Sequence, residues 1–326
     1  MPPNASKTPQ RPPTLPQQID EIRPGQSIAL LQELHILTRE GRLNQDTRRK
    51  LKQVFHLVRF IEPLLDSVFA SHAAAASGAS TGPVLADHGA GKSYLGFLIY
   101  DLYFNVAHQG LKKDGWIYGI ETRSELVEKS RLLAARLGFA RMGFLNLSVQ
   151  QATASDALPP VVDIVTALHA CDTATDDAIA FGLARQATHM VLVPCCQAEV
   201  AGMLRKNSKG QRPLTRLLAS GSAASQSLAE LWRHPLHARE FGSHITNVLR
   251  CLQLEAHGYE VTVTELVGWE HSMKNELILA SKPASTSNQA AAQQKAQMAR
   301  QRLFAVLDEL GMGEGLKHRF AAGLEV

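Results

Sequence analysis

The sequence predicts an α/β fold: a mostly parallel seven-stranded sheet closed by a C-terminal β-hairpin, with a helical module in front of it. Three observations predict this. Between residues 82 and 283, short apolar runs alternate with segments of helical period, the pattern of a parallel sheet covered on both faces. The last two runs are separated by only a short connection, which permits an antiparallel pair and not a parallel crossover. Ahead of residue 82, apolar positions such as Val54, Leu57, Val58 and Ile61 recur at three and four.

Taken in order, residues 1–24 are rich in Pro, Gln, Thr and Ser without apolar periodicity, which predicts a disordered tail. Residues 25–81 form the helical module, from "SIALLQELHILTREGRL" through "DTRRKLKQVFHLVRFIEPLLDSVFASH", and end in the linker-like "AAAASGASTGP". Residues 82–283 supply the strands "PVLAD", "WIYGIE", "MGFLNLSV", "VDIVTALHA", "HMVLVPCC", "YEVTVTELV" and "NELILASK". Helices at "KSYLGFLIYDLYF", "SELVEKSRLLAARLG", "TDDAIAFGLARQA" and "GSHITNVLRCLQLEAHG" lie between them. Residues 284–326 read as a polar spacer and a C-terminal helix.

Composition narrows the class. The 326 residues are 45% hydrophobic and 20% charged, which excludes a fibrous or mostly disordered chain. No apolar run reaches the roughly 18 residues that a membrane span needs, and the polar N-terminus does not resemble a signal peptide, so a cytoplasmic location is expected. The four cysteines, Cys171, Cys195, Cys196 and Cys251, lack paired metal-ligand spacing; reduced thiols and no metal site are expected. The net charge of +4 is compatible with a polyanionic partner without requiring one.

"ADHGAGKS", residues 86–93, supports two chemistries. Gly91-Lys92-Ser93 matches the end of a phosphate loop, but Ala86 stands where its first Gly belongs. Alternatively, Asp87 ends a strand and Gly89 and Gly91 let the backbone approach a nucleoside cofactor closely, with Lys92-Ser93 beginning the next helix. The next strand decides between them. It ends in Glu121, where an acid can accept both ribose hydroxyls, and two acids at adjacent strand ends suit a neutral ribose better than a triphosphate. A nucleotide hydrolase remains the competing reading, with "DIVTALHACD" as its metal-binding strand.

The segments "ADHGAGKSYLGFLIYDL", "GIETRSELVEKS", "LHACDTATDDAIAFGLARQA", "VPCCQ" and "MKNELILASK" together resemble the methyltransferase domain of the methyltransferase-like 25 proteins and their bacterial relatives. The double cysteine is more distantly similar to tRNA 2'-O-methyltransferases of the Trm13 type. The resemblance implies a Rossmann-like class I methyltransferase fold and S-adenosyl-L-methionine as cofactor. Carried onto this sequence, it implies that Asp87, Gly89 and Gly91 take the amino-acid end of the cofactor, Glu121 the ribose, and Ser148 and Gln150 the adenine.

Acceptor chemistry is expected after the fourth and fifth strands. His169, Asp172 and Asp176 are candidates for general-base work or substrate contact, because a histidine of near-neutral pKa accepts a proton as a nucleophile attacks. Against this, Asp172 or Thr173 can simply cap the following helix. Cys195 or Cys196 could attack a pyrimidine covalently, whereas the structural alternative has Pro194, Cys195, Cys196 and Gln197 shaping the acceptor pocket. Arg205, Lys206, Lys209, Arg212 and Arg216 follow at the same sheet edge, and Arg48, Arg49, Lys50 and Lys52 form a second basic cluster; both suit phosphate. The histidines of "WRHPLHAREFGSH" lack a carboxylate or cysteine partner at metal spacing. The expectation is an S-adenosylmethionine-dependent RNA methyltransferase acting on tRNA or rRNA. Protein or small-molecule methylation, and a cofactor-fold binding protein without turnover, are its alternatives.

Overall fold

The computed structural model describes residues 22–43, 45–74, 82–107, 115–168, 173–194, 198–206, 234–266, 276–283 and 289–324. The seven apolar runs become β1 (Val84–His88), β2 (Trp116–Glu121), β3 (Met142–Asn146), β4 (Ile164–Leu168), β5 (His189–Val193), β6 (Glu260–Glu265) and β7 (Glu276–Ser281). They form one sheet in the order β3-β2-β1-β4-β5-β7-β6. The first five strands run parallel, and β7 lies antiparallel to both β5 and β6. The strand order reverses direction beside β1, which leaves a crevice at the carboxyl ends of β1 and β4 where ligands of open α/β sheets bind.

The period of two along each strand sorts side chains between two cores. Leu85, Ile117, Phe144, Ile164, Val191 and Val193 face a cluster that includes Leu30, Leu57, Ile61, Phe97 and Val127. That side is covered by α1 (Ile28–Glu33), α2 (Gln45–Ala74), α3 (Tyr94–Ile99) and α4 (Ser124–Leu137). Val84, Ala86, Val165, Ala167, Met190 and Leu192 face the other way, against Ala152, Ala178, Phe181 and Leu254. There the covering helices are α5 (Val149–Ala154), α6 (Ala174–Ala184) and α8 (Pro235–Ala256). A third apolar cluster joins α7 (Glu199–Lys206) and α8 to α9 (Gln289–Glu309) and α10 (Gly313–Phe320).

Three local features depart from the sequence expectation. α1 ends at Glu33 and does not continue through the apolar positions that follow, because His35 adopts a left-handed φ of 56° and turns the chain. The helix after β1 widens into a π-helical stretch at Tyr100–Ala107, within which buried Asp101 accepts hydrogen bonds from the Ser27 amide at 3.1 and 3.2 Å. "VQQATA", where no helix was expected, is α5, started by a capping box in which Ser148 and Gln151 satisfy each other's amides. The tail expected at residues 1–24 lies outside the described residues up to position 21, as does most of the small-residue linker. Among the described residues no helix is long and apolar enough to cross a membrane.

Candidate functional site

The glycine turn is built by backbone conformations that ordinary side chains resist. Gly89 and Gly91 have φ of 62° and 57°, and Ser93, the N-cap of α3, has φ of 54° without a side-chain capping bond. A Cβ on Gly89 would meet no atom within 4 Å, so the turn borders open space on that side. Lys92 is exposed and lines a separate cleft with Glu33 and Arg136, whereas a phosphate loop would bring its lysine back over the glycine turn.

Two carboxylates flank this turn in contrasting states. Asp87 is buried at the end of β1, and Thr166, its register partner on β4, donates to it at 2.7 Å. Burial pushes its pKa up to about 7, only partly opposed by the threonine hydroxyl. Glu121, at the end of β2, is also buried, which opposes its charge. Hydrogen bonds outweigh that burial: the Arg123 side chain donates at 3.1 and 3.0 Å, the Arg123 amide at 3.1 Å and the Gly91 amide at 2.9 Å. The Glu121 carboxyl is thereby pulled down to about 2.

A cavity of about 390 Å³ opens above Asp87 and the glycine turn. One wall is Asp87 with Gly89, Ala90 and Gly91. The facing wall is aliphatic: Ile36 beyond α1, Val54 and Leu57 of α2, Leu168 at the end of β4 and Leu266 just after β6. The N-terminal helices therefore share a core with the sheet and also enclose the space beside the glycine turn. That size and mixture of apolar lining with few polar groups is ordinary for a small-molecule site.

The structure brings Asp87, Gly89, Gly91 and Glu121 together, since the Gly91 amide bonds directly to Glu121. Ser148 uses its hydroxyl to cap α5, and Gln150 is exposed on the first turn of that helix. Pro194 is buried immediately after β5. His169, Asp172, Cys195, Cys196, Gln197, Lys209, Arg212 and Arg216 lie outside the described residues, and of Arg205 and Lys206 only the backbone, in α7, is described. Asp176 does not face the cavity as an acid or base would: it is buried against Arg250 at 2.6 Å. Thr173 is the N-cap of α6, without a side-chain capping bond. Among the described residues no cluster of His, Cys, Asp and Glu could hold a metal ion, and His234 and His237 only stack edge to face.

Sequence reasoning missed Arg123, Thr166 and the aliphatic wall. Arg123 stands two residues after Glu121 in "IETR", close enough to return to it, but a charge at a helix start reads as solvated surface. Thr166 is hidden by its separation of 79 positions from Asp87. The wall is assembled from four separate parts of the chain.

Residues 49–203, a little under half of the chain, match the family model for a methyltransferase domain. No curated protein matches the sequence. Among solved structures, the chain is similar to an rRNA methylase from Streptococcus thermophilus at 9% identity and a TM-score of 0.36, covering 69% of this chain and 95% of that one. It is similar to magnesium protoporphyrin IX methyltransferase from Synechocystis PCC 6803 with bound S-adenosylhomocysteine at 15% identity and a TM-score of 0.37, covering 79% and 96%. Aeropyrum pernix fibrillarin with natively bound S-adenosyl-L-methionine shares 13% identity at a TM-score of 0.33, covering 62% and 67%. With a methyltransferase domain matched across the glycine turn and both flanking acids, the protein is an S-adenosylmethionine-dependent methyltransferase.

Proposed function

We propose that the protein methylates RNA, holding S-adenosyl-L-methionine between the glycine turn and the aliphatic wall. The donor set suits that cofactor. Asp87 offers a carboxylate to the ammonium of its amino-acid end, the open space at Gly89 admits close approach, and Glu121 can accept ribose hydroxyls once Arg123 releases it. When bound, the cofactor supplies an activated methyl group on a sulfonium. The protein's part is to orient the acceptor and exclude water, for which Leu57, Leu168 and Leu266 are placed. Ser148 and Gln150 remain our candidates beside the adenine. Within the class, we place the chain nearest the methyltransferase-like 25 type, and we expect it in the cytoplasm.

The observation that carries the RNA reading is α2. The helix that lends Val54 and Leu57 to the cavity also exposes Arg48 and Lys52, so the element that walls the site carries cations on its outer surface. The basic run Arg205, Lys206, Lys209 and Arg212 supplies further phosphate contacts in this reading, with Pro194 and Gln197 shaping the acceptor pocket. His169 or Asp172 serves as acceptor-side base, and Cys195 and Cys196 are the candidates for covalent attack on a pyrimidine. A second reading, methylation of a small apolar molecule, draws support from the aliphatic wall itself. Labelled methyl transfer into fractionated extract of cells lacking the protein separates them: label in RNA, with binding that weakens steeply in salt, is expected. Label confined to the metabolite fraction overturns the RNA reading. S-adenosylhomocysteine should raise the melting temperature where ATP with magnesium does not.

A further inference from the structure

Two helices leave the sheet next to the candidate acceptor side, and one distant arginine touches the first turn of each. α6 follows β4 and α7 follows β5, so each first turn is joined in sequence to a segment carrying candidates, His169 and Asp172 before α6, Cys195 and Cys196 before α7. In α6, the buried carboxylate of Asp176 takes Arg250 Nε of α8 at 2.6 Å. Arg319, at the end of α10, sets a guanidinium nitrogen 3.6 Å from the other Asp176 oxygen. The same guanidinium forms a two-pronged pair with Glu199, the first residue of α7, one contact being 3.2 Å. Behind these groups, Gln253 of α8 donates to the Arg319 carbonyl at 3.1 Å. Arg250 donates to Asn247 at 3.0 Å, and Asn247 donates to Glu276 of β7 at 2.8 Å.

Attachment of the C-terminal helices does not need these charges. Leu303, Leu307, Leu316 and Phe320 already pack with Val200 of α7 and Leu249 of α8 in a buried apolar cluster. A buried ion pair must first offset the desolvation of both partners, so it adds little net stability over an apolar contact of similar volume. A planar guanidinium shared by two carboxylates instead fixes the distance and orientation between them. Here those carboxylates sit on the first turns of α6 and α7.

We propose that Arg319 is a positioning residue for methyl transfer: hydrogen-bonded to Glu199 and ion-paired with Asp176, its guanidinium sets the spacing of the first turns of α6 and α7, the helices that follow β4 and β5. This rests on the acceptor binding at the carboxyl ends of β4 and β5. It gives the C-terminal helices, which lie beyond the matched methyltransferase domain, a part in the reaction.

The test compares full-length wild type, Arg319→Met and Arg319→Lys in three measurements: amide hydrogen exchange, S-adenosylhomocysteine affinity, and labelled methyl transfer to fractionated RNA. In Arg319→Met, exchange in peptides covering residues 174–184 and 199–206 is expected to quicken about tenfold, with β1 and β2 unchanged. Cofactor affinity should stay within about twofold while kcat falls about tenfold, and Arg319→Lys should restore part of both losses. Unchanged exchange in those two helices overturns the proposal, as does faster exchange throughout the sheet or faster local exchange with an unaltered kcat. Wild-type protein that methylates no RNA fraction removes the RNA reading, while the exchange measurement still decides whether Arg319 couples the two helices.

Discussion

At the scale of single residues, Asp87 and Glu121 show how neighbouring strand ends drive two carboxyls in opposite directions. Asp87 keeps its proton up to about 7 because burial is met by one hydroxyl, whereas Glu121 is ionised down to about 2 because a guanidinium and two amides surround it. The signs follow by linkage. Asp87 contributes stability in full below the ordinary value of 3.8, and this is lost as pH rises through about 7. Glu121 contributes in full above 4.5, and this is lost as pH falls towards about 2. Asp87→Asn is therefore expected to melt about 3–6 °C above wild type at pH 8 and close to it at pH 4, checked by thermal scans at both values. In the wild type, S-adenosylhomocysteine affinity should rise between pH 6 and 8, in the range of about one unit either side of the Asp87 value, and Asp87→Asn should flatten that rise. Arg123 occupies the face of Glu121 proposed for the ribose, so Arg123→Ala should tighten S-adenosylhomocysteine binding by about three- to tenfold in calorimetry. Weaker binding would instead make Arg123 part of the occupied site.

At the scale of elements, α2 both completes a core and walls the cavity, and the two roles separate by residue. Leu57 is buried, so Leu57→Ala should destabilise the fold by about 2–5 kcal/mol in denaturant titration. Val54 is only partly buried and borders the cavity, so Val54→Trp should lower methyl transfer about tenfold with a melting temperature near wild type. The strands were legible as apolar runs between Gly, Pro and polar residues, since a strand covered on both faces needs little else. That Asp87, Gly89, Gly91 and Glu121 come together was legible because the two acids fall at or next to strand ends and the glycines directly follow β1. α5 was not, because "VQQATA" buries only Ala152 among its residues and its start depends on a cap, not on periodicity. The early end of α1 turns on the backbone of His35, which takes a left-handed conformation that few non-glycine residues adopt and that apolar periodicity does not signal. Neither the aliphatic wall nor the Asp176–Arg250 pair has a local signature; both arise from packing across long stretches of chain.

At the scale of the whole molecule, one sheet divides two apolar interiors, with the cavity bordering the interior that α1 to α4 cover. Consecutive residues at the end of β1 therefore belong to different surroundings. Asp87 lines the cavity, while His88 points into the opposite interior against Phe181, its ring centroid 4.2 Å away. Burial lowers the His88 pKa to about 4, so the imidazole is neutral throughout the physiological range. His88 thus sits one residue from the cavity-lining carboxylate of Asp87, yet behind the sheet. Its isotope-labelled imidazole signals should hold constant from about pH 8 to pH 5.5 and shift when S-adenosylhomocysteine binds. A shift of that kind would make the buried imidazole a reporter of cavity occupancy read from the opposite interior.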